Sequence, residues 1–206
     1  MDSGLLEQVK KLKKSAAGLE IEKRLKEFKA LGKKGNKEWF SELCFCILTA
    51  NSKAETALKI QAELAGGKFH SASSEEIKNC IIKYKHRFHN NKTKYIIEAR
   101  KHISIKEKLQ NAREPREWMA ENIKGIGYKE ASHFLRNIGC ENYAILDRHI
   151  ISLMMQNKML KAVPKLNKKN YLEIEKKFIE IAKKAKMSPA KLDLYMWFMR
   201  TGRVLK

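Results

Sequence analysis

The segment from Lys124 to Asp147 contains the residues best suited to chemistry. It begins Lys-Gly-Ile-Gly-Tyr-Lys, continues as an apolar run with helical periodicity, and ends at Leu146-Asp147. Lys129 therefore falls in the first turn of a predicted helix, where the helix dipole favours acidic residues over an ammonium group. Only the neutral amine of a lysine attacks an electrophile, so a position that disfavours the cation suits a nucleophile. Lys129 is therefore a candidate nucleophile, and an ordinary surface lysine is the alternative.

The two glycines of this segment predict a tight turn between two helices. Gly125 and Gly127 flank Ile126, and apolar, helix-like sequence lies on both sides. Glycine adopts a positive φ angle at no steric cost and lets another backbone approach closely. A hairpin of this kind exposes backbone N–H groups at the start of its second helix, where they suit a phosphate group.

Asp147 is the second ionisable residue of interest. It precedes Arg148-His149-Ile150, which predicts that it caps the N-terminus of the next helix. A carboxylate held by backbone N–H groups stays ionised. The capping role is therefore compatible with a role in chemistry that needs a negative charge.

The charge of the chain indicates the class of partner. The 206 residues carry a formal net charge of +21. An excess of this size favours a polyanion, although a solvated lysine-rich surface is the alternative explanation. Most of the basic residues are lysines, which act as mobile point charges, whereas arginine reads base edges with a rigid fork. The balance favours contact with a nucleic-acid backbone over sequence readout.

The four cysteines and the apolar segments exclude several other classes. Cys44, Cys46, Cys80 and Cys140 show no spacing typical of a zinc or iron–sulfur site. No segment resembles a signal peptide or an apolar transmembrane span. We predict a soluble, intracellular protein without disulfides, metal ions or cofactors, in which the apolar surroundings of Cys44 and Cys46 make them small core residues.

Hydrophobic periodicity predicts helices along most of the chain and no convincing strand. Residues 5–31 show helical periodicity, and the apolar run from Leu43 to Leu48 suits a buried central helix. Pro115 fits the first position of a helix, and Ser188-Pro189 opens the last one. We predict one all-α domain over residues 1–206, built as two helical lobes with a helix–hairpin–helix motif and a cleft between the lobes.

These features resemble the helix–hairpin–helix DNA glycosylase superfamily. The resemblance rests on Lys124-Gly125-Ile126-Gly127, on Lys129 and on Leu146-Asp147. It implies that Lys129 attacks the sugar C1′ as a damaged base leaves, forms a Schiff base, and allows strand cleavage by β-elimination. It also implies that Asp147 stabilises the oxocarbenium-like sugar or orients the attacking amine.

A more detailed resemblance is to the small archaeal-type 8-oxoguanine DNA glycosylases with AP lyase activity. It is carried by the hairpin and by segments before and after it: Phe45 to Asn51, Arg87-Phe88 with Asn91-Lys92, Leu192 to Phe198, and Thr201 to Lys206. The implied partner is double-stranded DNA that contains oxidised guanine.

This resemblance also implies residues that contact DNA and the damaged base. A flipped base leaves a gap in the duplex, and Asn51 matches the loop from which related glycosylases insert a polar residue, with a helix C-terminus as the alternative. Lys206 matches the terminal lysine implicated in distinguishing 8-oxoguanine from guanine. Trp197 is expected to stack on the base or to lie in the core, and Asp193 to contact the base edge. The remaining candidates are predicted phosphate contacts or surface residues: His86, His89 and His149.

Two other functions remain open. An endonuclease III-like enzyme would act on another oxidised base, but that branch usually carries a C-terminal four-cysteine cluster, which this chain lacks. A non-catalytic helix–hairpin–helix module would need Lys129 and Asp147 only for charge and capping. We predict a monomeric DNA repair enzyme that acts in the cytoplasm on nucleoid DNA, with no membrane partner.

Overall fold

Helices account for the regular structure of this protein, as the hydrophobic periodicity predicts. The computed structural model describes residues 3–162 and 165–206, and these ranges contain helices and no strand. The chain divides into two units, the central unit Leu31–Phe134 and the terminal unit, which comprises residues 1–30 and Leu135–Lys206. In the described ranges no helix is both long and apolar enough to cross a membrane.

The central unit contains the hairpin and is built from short helices. In chain order they are α3 (Asn36–Thr49), α4 (Ala54–Glu63), α5 (Lys68–Ser71), α6 (Ser74–Lys83), α7 (His89–Ala99), a 3-10 turn (Arg100–His102), α8 (Ile105–Gln110), α9 (Pro115–Asn122) and the first part of α10 (Tyr128–Asn137). Helix α9 begins at Pro115 as predicted, because proline lacks the N–H that a first helical residue leaves unused.

Helix α3 is the core of the central unit. Every side chain from Leu43 to Leu48 is fully buried, and α4, α5, α7 and α8 pack against the helix. A helix that is apolar on all sides must be surrounded by others, which confirms the predicted buried central helix. Its C-terminal end, at Thr49, therefore presents its last carbonyl groups to the segments packed around it.

The terminal unit is organised around its last helix. Its helices are α1 (Ser3–Lys13), α2 (Ala16–Gly32, up to Ala30), α11 (Arg148–Gln156), α12 (Lys168–Lys184) and α13 (Pro189–Thr201). Helices α1, α11 and α12 all pack against α13. Ser188 caps α13 by accepting the Lys191 N–H, and Gly202 ends it with a φ angle of 68°, so both predicted boundaries are confirmed.

Candidate active site

The predicted hairpin joins α9 to α10, and Gly125 is the residue that makes its turn possible. The turn is closed by the Ile126 N–H, which donates to the Ile123 carbonyl at 3.2 Å. Gly125 has a φ angle of +84°, and a Cβ added there would lie 2.5 Å from the Tyr95 ring. Glycine is therefore required at this position both by the backbone conformation and by the neighbouring ring.

Gly127 has a different environment, because its surroundings leave room for a side chain. It is exposed, its φ angle is not positive, and a Cβ would meet only a Glu130 oxygen at 3.4 Å. The Gly127 N–H donates to Glu130 Oε2 at 3.4 Å, and its carbonyl accepts the first helical bond, from Ala131. Gly127 thus occupies the N-terminal end of α10, where amides and the dipole favour an anion.

The other two hairpin residues lie on opposite sides of the turn. Lys124 is exposed, with Nζ 3.9 Å from a Glu98 carboxylate oxygen. The Ile126 side chain is only 4% exposed and its N–H is used inside the turn. The Ile126 side chain therefore anchors the hairpin in the core, and its predicted nucleic-acid contact stays a prediction.

Alanine substitutions should distinguish Gly125, which the turn requires, from Gly127, which is predicted to contact DNA. We expect Gly125→Ala to destabilise the protein by at least about 1–2 kcal/mol, the approximate cost of a left-handed L-residue, with a further cost from the Tyr95 contact. Gly127→Ala should change the melting temperature much less but weaken binding to an abasic duplex, even at low salt. Thermal denaturation and a binding titration measure the two effects. A larger loss of stability in Gly127→Ala than in Gly125→Ala would contradict this assignment.

Lys129 is the second residue of α10 and forms an ion pair with its neighbour. Its Nζ lies 2.9 Å from Glu130 Oε1, and the lysine side chain is 30% exposed. The predicted location in the first turn is confirmed, so the amine lies at the positive end of the helix dipole. The ion pair with Glu130 must open before the nitrogen can attack an electrophile.

The C-terminal end of α3 is closed by side chains from distant segments. His86 Nε2 bonds the Leu48 carbonyl at 2.9 Å, and Lys92 Nζ donates to the Ile47 carbonyl at 2.7 Å. Asn51 follows the helix with a φ angle of 58° and is exposed. The prediction that His86 lies at the surface is wrong, because it is 2% exposed and used as a helix cap.

Burial lowers the pKa of both capping residues, Lys92 and His86. It is the main cause that lowers the pKa of Lys92 to about 8. Burial also lowers the pKa of His86, although its bond to the Leu48 carbonyl acts in the opposite direction. Both changes follow from the loss of hydration of the charged form.

In the terminal unit, Asp147 caps α11 as predicted. Its Oδ1 accepts the His149 N–H at 2.8 Å and the Ile150 N–H at 2.9 Å. Both bonds end on Oδ1, so the cap does not use Oδ2. The buried segment before it is held by α12, where the Tyr171 hydroxyl donates to the Ala144 carbonyl at 2.8 Å. This bond holds the backbone segment that leads to Asp147 and so helps to position its carboxylate.

Asp193 lies in a buried network on α13 and is 3% exposed. Its Oδ2 is 2.5 Å from Arg136 Nη1, and Arg136 also donates to Asn137 Oδ1. Burial raises the pKa of Asp193 to about 7, the Asp147 charge adds to that increase, and Arg136 opposes it. The Asp193 carboxylate is thus held by Arg136, and the expected contact with a base edge stays a prediction.

Trp197 lies one helical turn after Asp193 and is half-buried. Its ring contacts His149 edge-to-face, with centroids 5.0 Å apart. Within the described ranges its buried Nε1 finds no hydrogen-bond acceptor. His149 is thus an aromatic partner of Trp197 on the first turn of α11, the turn that Asp147 caps.

The residues after Gly202 are packed rather than frayed. Val204 is 4% exposed, Lys206 is partly buried, and the Arg203 N–H donates to Thr201 Oγ1 at 3.3 Å. The chain after α13 thus turns back toward the terminal unit at Val204, two residues before Lys206.

Several features of the site have weak or no sequence signals. Lys92 lies in one of the segments that resemble the family, but the sequence analysis assigns it no role. Glu130 looks in the sequence like any acidic residue in the first turn of a helix.

Among the described residues no group of three His, Cys, Asp or Glu could hold a metal ion. All four cysteines are free, and Cys44 and Cys46 are core residues as predicted.

Comparison with known proteins gives matches along nearly the whole chain. A family model described as 8-oxoguanine DNA glycosylase, of the helix–hairpin–helix type, matches residues 21–187. The 8-oxoguanine DNA glycosylase/AP lyase of Methanocaldococcus jannaschii is 44% identical over 98% of this chain and 99% of its own length.

Solved structures agree with this match. A crystal structure of the M. jannaschii 8-oxoguanine glycosylase/lyase, in complex with 15mer DNA containing 8-oxoguanine, has a TM-score of 0.94 at 42% identity and covers 98% of this chain and 99% of its own. The 8-oxoguanine DNA glycosylase of Thermotoga maritima has a TM-score of 0.93 at 37% identity, with 100% of both chains covered. With the hairpin, the lysine and the aspartate in the expected places, these matches show that the chain belongs to the helix–hairpin–helix 8-oxoguanine DNA glycosylase family.

Proposed function

We propose that this protein excises 8-oxoguanine from double-stranded DNA and then cleaves the strand at the resulting abasic site. The observation that carries the proposal is the similarity, over 98% of the chain, to a structure solved with DNA that contains 8-oxoguanine. The net charge of +21 supports a DNA partner. The chain would act on cytoplasmic, nucleoid DNA.

In the proposed reaction, Lys129 acts as the nucleophile. Its neutral amine forms a bond to the sugar C1′ while the bond from C1′ to the base nitrogen breaks and the base leaves with that electron pair. The attacking nitrogen then loses a proton, and opening of the sugar ring gives the protonated Schiff base. Loss of a proton from C2′ expels the 3′ phosphate, which cleaves the strand. The location of Lys129 in the first turn of α10, directly after the hairpin, supports this role.

Asp147 is proposed to stabilise the positive charge that develops on the sugar. The two amides that donate to Oδ1 hold the carboxylate in place, and Oδ2 remains outside the cap. A negative charge fixed in advance stabilises a cationic transition state more effectively than solvent, because it needs no reorganisation.

Other parts of the chain are proposed to hold the DNA. The hairpin residues Lys124, Gly125 and Gly127 would dock a phosphate, and Asn51, which is exposed beyond the end of α3, would enter the gap left by the flipped base. Trp197 and Lys206 are proposed to contact the base itself. Asp193 supports them indirectly through its pair with Arg136.

The test of this function is borohydride trapping with a panel of duplexes that each carry one lesion. The proposal requires a covalent protein–DNA adduct and strand cleavage on the 8-oxoguanine duplex. A preference for oxidised pyrimidines would favour the endonuclease III-like alternative. Binding without a trapped adduct on any duplex would favour a non-catalytic module.

Trp197 should matter more for 8-oxoguanine than for an abasic site, because only the former has a base to stack. Base–aromatic stacking contributes about 1–3 kcal/mol per base, so we expect Trp197→Ala to reduce single-turnover excision by roughly 5- to 150-fold. Cleavage of a preformed abasic duplex should change much less. The matched control is Trp118→Ala, since Trp118 also contacts a histidine edge-to-face, with centroids 5.4 Å apart. Equal losses on both substrates for Trp197→Ala would count against base stacking.

A further inference from the structure

The chain that leads into Asp147, residues 144–147, lies just before the first turn of α11 and belongs to no helix itself. Ala144 and Leu146 are fully buried, and Ile145 is 7% exposed. The N–H and C=O groups of this stretch, which we call the approach segment, are shielded from water and lie outside the regular bonding of a helix. They therefore need hydrogen-bond partners from elsewhere in the fold.

Two side chains of α12 supply these partners. The Tyr171 hydroxyl donates to the Ala144 carbonyl at 2.8 Å and accepts the Leu146 N–H at 3.3 Å. Glu175 Oε1 accepts the Ala144 N–H at 3.0 Å. Tyr171 and Glu175 are one helical turn apart, so they lie on the same face of α12, and they are only 2% and 5% exposed. Together they clamp three backbone groups of the approach segment.

The hydrogen bonds continue from the clamped backbone to Asp147. The Asp147 N–H donates to the Ile145 carbonyl at 2.9 Å, which closes a three-residue turn. The Asp147 carbonyl accepts the Ile151 N–H at 2.9 Å as the first helical bond of α11, and its Oδ1 is held by the cap. A displacement of the approach segment would therefore displace the carboxylate as well.

The location of this carboxylate matters for its proposed role. A fixed charge stabilises a cationic transition state because it is already in place when the charge develops. A misplacement of about 1 Å, even one caused by a residue far from the reacting atoms, can cost roughly 100-fold in rate. Side chains that fix the approach segment can thus affect the reaction without touching the DNA.

We propose that Tyr171 and Glu175 are positioning residues for Asp147: their hydrogen bonds to the Ala144 and Leu146 backbone set where the Asp147 carboxylate lies. The inference rests on the proposed function, because it concerns the carboxylate of that reaction. Both residues act only through the approach segment and make no contact with the substrate.

The test is a double-mutant cycle that measures single-turnover excision from an 8-oxoguanine duplex. Tyr171→Phe removes only the hydroxyl that bridges Ala144 and Leu146, and we expect the rate to fall roughly 10- to 100-fold. In the Asp147→Asn background the same change should alter the rate by less than about twofold, because the charge that Tyr171 positions is already absent. Residues that act through one another show this lack of additivity.

Two substitutions of Glu175 test whether its hydrogen bond is what acts. Glu175→Gln keeps a side-chain oxygen that can accept the Ala144 N–H, so we expect a rate within about threefold of the wild type. Glu175→Met has a similar size but offers no such oxygen, and it should be slowed roughly as much as Tyr171→Phe. Equal losses in the two Glu175 variants would overturn the inference for this residue.

A matched control and a binding measurement separate positioning from general damage. Tyr84→Phe also removes a bonded phenol hydroxyl, one that donates to Glu63 Oε2 at 2.7 Å in the central unit, and it should keep the wild-type rate. The affinity of Tyr171→Phe for the 8-oxoguanine duplex should equal that of the wild type, because the clamp acts on the reaction and not on docking.

The cycle also gives the results that would reject the clamp. An equal loss from Tyr171→Phe in both backgrounds would overturn the inference and leave Tyr171 with a role in stability alone. If Tyr171→Phe does not fold, as judged by circular dichroism, the same cycle built on Glu175→Met decides. A wild-type protein that fails to excise 8-oxoguanine would instead contradict the proposed function.

Discussion

Replacing Lys129 with arginine is expected to abolish base excision and borohydride trapping while leaving DNA binding intact. Arginine keeps the positive charge and an ion-pair partner for Glu130, but the guanidinium stays protonated at any working pH and forms no Schiff base under these conditions. The single-turnover rate should fall by several orders of magnitude, because the covalent route is lost. Binding to an 8-oxoguanine duplex should change little, because the positive excess of the chain is +21.

Two companion variants separate the chemistry from the charge. Lys129→Gln removes both charge and nucleophile and should be as inactive as Lys129→Arg. Lys59→Gln, at an exposed position of α4, removes one charge elsewhere and should remain active. Strand cleavage by Lys129→Arg at the wild-type rate would reject Lys129 as the nucleophile, and loss of binding in that variant would assign it a docking role instead.

The elements that sequence alone predicts well are those specified by local chemistry. The hairpin follows from Gly125 and the apolar residues around it, the start of α9 from Pro115, and the Asp147 cap from an aspartate just before an apolar helix. In each case the deciding interaction joins residues close together in the chain. Interactions between such close neighbours form in almost any tertiary structure.

Hydrophobic periodicity is less informative about where one helix ends and the next begins. The periodicity over residues 5–31 continues across Ser15, yet the chain forms two helices with a turn between them. The Ser15 hydroxyl donates to the Leu12 carbonyl at 2.8 Å, so it takes an acceptor at the end of α1. Serine competes with the helix backbone for hydrogen bonds in this way. The spacing of the apolar residues alone does not reveal the resulting break between the two helices.

The parts of the site that sequence does not predict depend on residues far apart in the chain. Lys92 and Ile47 are 45 positions apart, and Arg136 and Asp193 are 57 apart. No periodicity or spacing links such pairs, because the fold alone brings them together. For the same reason the sequence gives no sign that Asp193 pairs with Arg136.

The second large effect is expected for Asp147→Asn, which should slow base excision while preserving the fold. Asparagine is as good a helix cap as aspartate, and its side-chain oxygen can still accept the His149 and Ile150 N–H groups. The negative charge, however, is lost. Removing one preorganised electrostatic contact from a transition state typically costs about 100- to 1,000-fold in rate, and we expect a loss of this order in single-turnover excision of 8-oxoguanine.

The variant Asp147→Ala distinguishes the cap from the charge, since it removes both. It should lower stability by about 0.5–2 kcal/mol as a lost cap, whereas Asp147→Asn should melt close to the wild type. Both should lose activity to a similar extent if the charge is what matters, because neither carries a carboxylate. Thermal denaturation and excision rates on the same preparations therefore separate the two roles. If Asp147→Asn were as active as the wild type and only Asp147→Ala were impaired, Asp147 would be a helix cap without a part in the chemistry.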